Sequence, residues 1–513
     1  MTESKSKNEE LSWFRKTFWP VYSHETSKVL TMITMLALAL FNYTCLRINK
    51  DSLVMTAYGS GKDVLPILKL FLVLPATLFF VKKFWDLSNN VSRKNLFYVT
   101  LMPFLTFFII FSIFIFPFSE KLHASHLTID SWQAAYPRFR YIIAAVGNWS
   151  FSLFYVCSEL WGNVVISLLF WNFANAAFSK DEAKRIFTIF ASYSNIGLVV
   201  GGLITKYFFS ASIAAKKLGV KAADSTTTVL ACVVLSGLFF AALYWYLNEV
   251  ILAAKGFDIN TVGVKSSSVK KEKPSTTESL KMLWNSKYLM YVTILVLSYG
   301  MTANLVEVTW KGLVKSLFPS KDAYGIFMCD FFIWTGIATC FIGFCCKGIV
   351  KKFGWLFGAL ATPVIMLITS ASFYIFLLFG KFILPASVLS ASLFYAVIVG
   401  SIQNILSKGA KYTLFDPTVQ MSYQPLNEQE KIKGKAAVDV IGGRAGKSLG
   451  SVLQIMVVMA IPGWEYGQQF AFMILVIGLC ISWIYASIAL SKEYERLSKE
   501  ADELAKQKES SNQ

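Results

Sequence analysis

The chain has 513 residues, of which 55% are hydrophobic, 16% aromatic and only 16% charged, with a mean hydropathy of +0.52. Soluble domains carry about 25% charged residues, so composition alone excludes a water-soluble enzyme. The 49 Lys and Arg against 31 Asp and Glu give a net charge of +18, which in a membrane protein reads first as basic cytoplasmic loops and not as affinity for nucleic acid.

In chain order, an N-terminal segment over 1–27 comes first, polar over Met1–Trp13. It mixes Lys with Glu, unlike a signal or transit peptide, so the first apolar run is expected to act as its own insertion signal. Twelve runs long enough to cross a bilayer follow, at about 28–48, 64–82, 96–117, 141–175, 186–208, 227–249, 288–310, 324–349, 355–379, 384–406, 436–461 and 467–489. The expected fold is therefore all-α and polytopic, with twelve transmembrane helices. The tails and even-numbered connections hold 29 basic residues against 12 in the odd-numbered ones, which places both termini in the cytoplasm.

The longest connection, 250–287, contains the basic, polar stretch Lys265–Pro274 and no core-forming pattern. It separates six-span halves at 28–249 and 288–490, a 6+6 major-facilitator-like arrangement of the kind used for alternating access. A charged helix and tail over 491–513 complete the chain.

Charges inside spans are costly, at least about 2.5–3.5 kcal/mol each on insertion scales, and so mark function by default. Arg47 and Lys50 stand three apart at the end of the first span, on one helix face. Glu159 lies in the middle of the fourth. Glu307 closes the seventh, four residues before Lys311. The eleventh span opens with Lys433 and Lys435 and carries Asp439, Arg444 and Lys447 deeper in, among glycines. A stretch rich in both glycine and cations is expected to line a wet cavity.

The triplet Gly446–Lys447–Ser448 is not a phosphate loop. Position 441 is Ile where that motif needs Gly, and no strand precedes it. Taken together, these cations suit a polyanionic substrate. Aromatic side chains such as Trp149, Phe154, Tyr155 and Trp161 are available to stack a base, although most aromatics in so aromatic a chain simply pack. The three histidines and eight cysteines form no acid–base or metal-ligand cluster and no CxxC pair, so no enzyme activity, cofactor or metal is expected.

At these residues the chain resembles the ATP/ADP translocase family of nucleotide transporters, found in obligate intracellular bacteria and plastids. The resemblance rests on Asn42–Asp51, Phe154–Gly162, Leu305–Lys311, Gln403–Pro417 and Lys433–Asp439, in that order. It implies nucleotide exchange across the membrane, with essential charges at Lys50, Glu159, Glu307 and one of Lys433 and Lys435.

Two departures remove a carboxylate each. Ile48–Asn49 stands where the family usually has Asp–Thr, and Asn427 closes a stretch that usually ends in Asp. The expected function is ATP/ADP antiport through a multi-pass inner-membrane protein, with Arg47, Lys50, Lys433, Lys435, Arg444 and Lys447 on phosphates and Glu159 and Glu307 balancing charge. A proton-coupled or exchange importer of a wider nucleotide set (GTP, UTP, CTP or NAD) is the alternative. The expected partners are nucleotides, phosphate and the lipid bilayer, with neither nucleic acid nor an obligate protein.

Overall fold

In the computed structural model, residue 19 and residues 21–511 are described, except 179–181, 183–185, 188–189, 191–192, 220–223, 256–284, 347–351, 384–390, 424 and 427. The described residues contain helices and turns and no strand. This is the result expected of a chain with little but apolar runs, because a helix satisfies its own backbone where water is absent.

The long helices are α1 (Thr26–Thr56), α2 (Leu74–Asn90), α3 (Arg93–Ile110), α4 (Trp149–Trp161), α5 (Ile196–Lys217) and α6 (Ser225–Tyr246). After the basic connection come α7 (Lys287–Leu317), α8 (Lys321–Cys345), α9 (Trp355–Ile383), α10 (Ser392–Ala410), α11 (Glu428–Ala460) and α12 (Glu465–Ser511). Among the described residues, ten helical segments are long and apolar enough to cross a membrane. The other two, α10 and α11, occupy the places of the tenth and eleventh expected spans, and Ala445–Ala460 is the apolar part of α11. Five π-helical turns interrupt or prolong these helices among the described residues, at Leu68–Val73, Phe111–Ile115, Gly162–Phe170, Leu247–Leu252 and Lys411–Phe415.

Two boundaries differ from the sequence reading. The fourth expected span begins with a separate short helix, Arg140–Gly147, which Asn148 breaks from α4. The fifth lies further along the chain, at Ile196–Lys217, because the backbone turns at Ser194–Asn195. There Ser194 Oγ donates to Ile33 O at 3.3 Å.

The chain forms two compact units. The first holds 1–59, 75–271 and 320–336; the second holds 60–74, 272–319 and 337–513. In the first, α1 packs against α4, α5 and α6, and most of its residues are buried. The start of α8 is held in this unit by Asp322, which accepts from Ser212, Ser225 and Lys216 at 2.7–3.0 Å, while Lys321 reaches Asp224 at 2.6 Å. In the second unit, α7 is the central helix and packs against α10, α11 and α12. Peripheral helices carry the large exposed apolar side chains, such as Phe79 and Tyr485, as a lipid-facing surface requires.

Both units use the same close crossing. On α5, Gly197 and Gly201 lie four apart and face α1 so tightly that a Cβ on Gly197 would stand 2.0 Å from Ala37 O, and one on Gly201 2.9 Å from Phe41 O. On α11, Gly446 and Gly450 do the same against α7, where added Cβ atoms would meet Leu297 O at 3.1 Å and Asn304 at 3.2 Å. Small residues four apart let backbones approach where packing, and not water exclusion, drives association. Gly446 and Gly450 are therefore packing residues on the face of α11 turned to α7.

Short helices between α3 and α4 fold over the turn after α1. Tyr58 stacks on His126 with centroids 3.7 Å apart, and its hydroxyl donates to Asp130 at 2.7 Å. His123 Nε2 lies 2.6 Å from Ser150 Oγ, and partial burial holds this imidazole below its ordinary pKa of 6.5.

Two outcomes follow from these packings. Gly197→Ala is expected to cost about 1–3 kcal/mol as an overpacked contact and to lower thermal stability in detergent more than Gly446→Ala, measured side by side. The folded protein keeps His123 neutral more readily than the unfolded chain does, so its contribution is complete above about pH 6.5 and is lost as pH falls below that value. The protection of amides over 119–135, taken relative to their intrinsic exchange rates at each pH, should fall on acidification, and His123→Gln should remove that part of the pH dependence.

Candidate functional site

In the first unit the site is built on α1 and α4. The first expected span ended near Arg47 and Lys50, but α1 runs on to Thr56, so both residues lie inside a helix. Lys50 is 2% exposed. Its Nζ stands 2.9 Å from Asp51 Oδ1 and 2.9 Å from Glu159 Oε1, and 3.9 Å from the centre of the Tyr155 ring. Glu159 and Tyr155 come from successive turns of α4, which a Trp161 indole brace fastens to α1 through Ala39 O at 3.2 Å. The cation beside the mid-span Glu159 is thus Lys50.

Arg47, one turn earlier, is held by aromatics. Its Nη1 donates to Tyr43 Oη at 3.3 Å, and the guanidinium lies 4.9 Å from the Phe332 ring centre. Ile48 and Asn49 are fully buried. The Asn49 amide donates to Cys45 O at 2.9 Å, within its own helix.

In the second unit the cluster is on α7 and α10. Glu307 lies ten residues before the end of α7 and not at a span end. Glu307 Oε1 is 2.9 Å from Lys311 Nζ, whose side chain is only 2% exposed, so the contact is a buried pair and not a surface one. Its other oxygen stands 4.0 Å from Lys408 Nζ on α10. Trp310 Nε1 ties α7 to α10 by donating to Val397 O at 3.1 Å and Ser401 Oγ at 3.2 Å.

One turn before Glu307, Asn304 accepts from Lys69 Nζ at 2.6 Å. Its amide nitrogen donates to Lys447 O at 3.2 Å and Ser451 Oγ at 3.1 Å, which fixes α11 and the π-turn before α2 on α7. The Lys447 side chain is exposed. The side chains of Lys433, Lys435, Asp439 and Arg444 lie outside the described residues. The described residues therefore bring Lys50 together with Glu159, and Glu307 together with Lys311 and Lys408. No group of His, Cys, Asp or Glu among the described residues could hold a metal ion.

Several intramembrane charges escaped the sequence reading. These are Lys69; the pair Lys206–Asp330 at 2.6 Å; Lys408; and Lys411, which donates to Asp416 at 2.7 Å. The signal was present, since Lys69 and Asp330 interrupt apolar runs. Lys408 and Lys411 were read as loop residues just past the tenth span, whereas the helix continues through a π-turn to Ser422.

A sequence profile described as TLC ATP/ADP transporter matches residues 4–494. The chain belongs to the TLC ATP/ADP transporter family. Among its relatives is an "ADP,ATP carrier protein 1" of Chlamydia muridarum (strain MoPn / Nigg), 41% identical over 449 residues, covering 86% of this chain and 83% of the relative. A protein of the same name from Rickettsia typhi (strain ATCC VR-144 / Wilmington) is 38% identical over 508 residues, covering 97% and 99%. The chloroplastic "ADP,ATP carrier protein 1" of Arabidopsis thaliana is 39% identical over 489 residues, covering 94% and 76%.

In fold, this family member is similar to a solved nucleoside transporter, NupG, with a TM-score of 0.56 at 10% identity over 90% of this chain and 99% of that one. A solved POT family transporter gives 0.54 at 10% identity, covering 94% and 98%. The expected all-helical, major-facilitator-like membrane fold and the family resemblance are borne out.

Removing one partner of a buried ion pair leaves the other charge uncompensated, at about 3–5 kcal/mol. Lys50→Met should be destabilised on that scale in thermal unfolding of the detergent-solubilised protein, with part of the loss recovered in Lys50→Met/Glu159→Gln. Wild-type stability in Lys50→Met would show that the pair is energetically idle.

Proposed function

We propose that this protein exchanges ATP for ADP across the cell inner membrane by alternating access, with both termini in the cytoplasm. Family membership over nearly the whole chain supports the substrate class. The observation that carries the mechanism is that each unit keeps a buried lysine clamped by a carboxylate, Lys50 by Glu159 and Lys311 by Glu307.

A bare ammonium inside an apolar helix bundle is expensive, and a carboxylate beside it removes most of that cost. Phosphate oxygens can replace the carboxylate, because charge-assisted contacts of lysine to either are alike in kind. In this reading Lys50 and Arg47 take phosphate oxygens, with Lys433, Lys435, Arg444 and Lys447 as further cations along α11. Glu159 and Glu307 hold the lysines when nucleotide has left. An empty carrier is then locked by its own ion pairs, so reorientation needs bound nucleotide on either side, which is the physical content of exchange. Lys is suited to this role as a flexible point charge, while Arg47, stacked on aromatics, supplies a fixed fork.

The test is uptake of labelled ATP into proteoliposomes that are empty or preloaded with ADP, with GTP, UTP, CTP and NAD as competitors. Uptake that requires internal ADP and is competed only by adenine nucleotides supports this reading. Uptake into empty vesicles under a proton gradient, or equal competition by other bases, replaces it with a broader importer. Glu159→Lys is expected to abolish exchange while the protein still accumulates in the membrane. Wild-type exchange in that variant would remove Glu159 from the mechanism.

A further inference from the structure

The two units repeat one another in a way that singles out Lys408. Helices α1 and α7 are both 31 residues long, and Lys50 and Lys311 each stand six residues before the last. The glycine crossings agree with this register, since α5 meets α1 near Ala37 and Phe41 while α11 meets α7 near Leu297 and Asn304. The partner helices match as well. Glu159 is three residues before the π-turn at Gly162–Phe170, and Lys408 is three residues before the π-turn at Lys411–Phe415.

Lys408 is thus the counterpart of Glu159 with the charge reversed. Where the first unit sets a carboxylate against Lys50, the second sets another lysine beside Lys311 and supplies Glu307 from the α7 turn between them, 2.9 Å from one ammonium and 4.0 Å from the other. The side chains of both lysines are largely shielded, at 2% and 11% exposure.

We infer that Lys311 and Lys408 form a phosphate-binding cation pair, and that Glu307 is its internal stand-in for substrate phosphate. This inference rests on the nucleotide-exchange reading and extends it to a residue outside the charged set picked from the sequence. Glu307 divides its two oxygens between the lysines, and a phosphate group with several oxygens can likewise meet both. The geometry makes Glu307 a competitor of substrate and Lys408 a contact that substrate gains on displacing it.

The experiment is a double-mutant cycle on the purified full-length protein in detergent, titrated with ATP, ADP and inorganic tripolyphosphate by calorimetry. Glu307→Gln is expected to tighten ATP binding about tenfold while stopping exchange. Lys408→Gln is expected to weaken ATP binding about tenfold, with Lys408→Arg within threefold of wild type. In the Lys408→Gln background, Glu307→Gln should gain less than threefold, since the competition it relieves has gone.

An unchanged ATP affinity in Lys408→Gln, or a full tenfold gain from Glu307→Gln in both backgrounds, overturns the pairing. If Lys408→Gln does not fold, Glu307→Gln decides alone, and the absence of tighter binding overturns it. The two readings separate cleanly. Tripolyphosphate binding that depends on Lys408 without any nucleotide binding keeps the cation pair and sinks nucleotide exchange. Nucleotide binding and exchange indifferent to Lys408 keep exchange and sink the pair.

Discussion

Burial of lysine among apolar helices is the constraint to which the rest of the architecture answers. An ammonium with no partner inside a bilayer costs enough to oppose insertion of its helix, yet α1 places Lys50 at 2% exposure and α7 places Lys311 equally deep. Each is tolerable because an acid is held within 2.9 Å. The first unit brings one acid from α4 and a second, Asp51, from α1 itself, and the second unit brings its acid from the preceding turn of α7. Fixing those distances fixes the helices, and the indole braces of Trp161 and Trp310 tie α4 to α1 and α7 to α10 beside them.

Close helix crossings do the complementary work. With lipid as apolar as leucine, helices gain little by hiding side chains from one another, and backbone approach through glycine takes over. The crossings of α5 on α1 and α11 on α7 leave no room for a methyl group at Gly197, and they set the central helices that carry Lys50, Glu307 and Lys311. A likeness between the two units is visible in this geometry. What repeats is the placement of small residues and charges, which few positions need to encode.

Much of this was legible in the sequence, and the failures have physical causes. Apolar runs announce membrane helices because nothing else in the bilayer satisfies a backbone, and Glu159 and Glu307 were conspicuous for the same reason. Their partners were not, because pairing is decided in three dimensions: Lys50 finds Glu159 from a distant span, and Glu307 draws on both α7 and α10. Lys408 was hidden by the habit of ending a helix where hydropathy falls, whereas α10 continues through a π-turn. The glycines of α11 were ambiguous because a small side chain serves close packing and cavity lining equally well, and the neighbour at Gly300 shows the packing at Gly446.

The π-turns have a consequence of their own. A π-turn is a helix with one residue to spare, and the spare residue can migrate by exchanging hydrogen-bond partners in sequence, with no backbone group left open at the end. Each residue it passes is turned by about 100°, the angular step of an α-helix. Glu159 and Lys408 both stand just upstream of such a turn, at the point where their helices leave the α-helical hydrogen-bond pattern without leaving a backbone group open to the lipid.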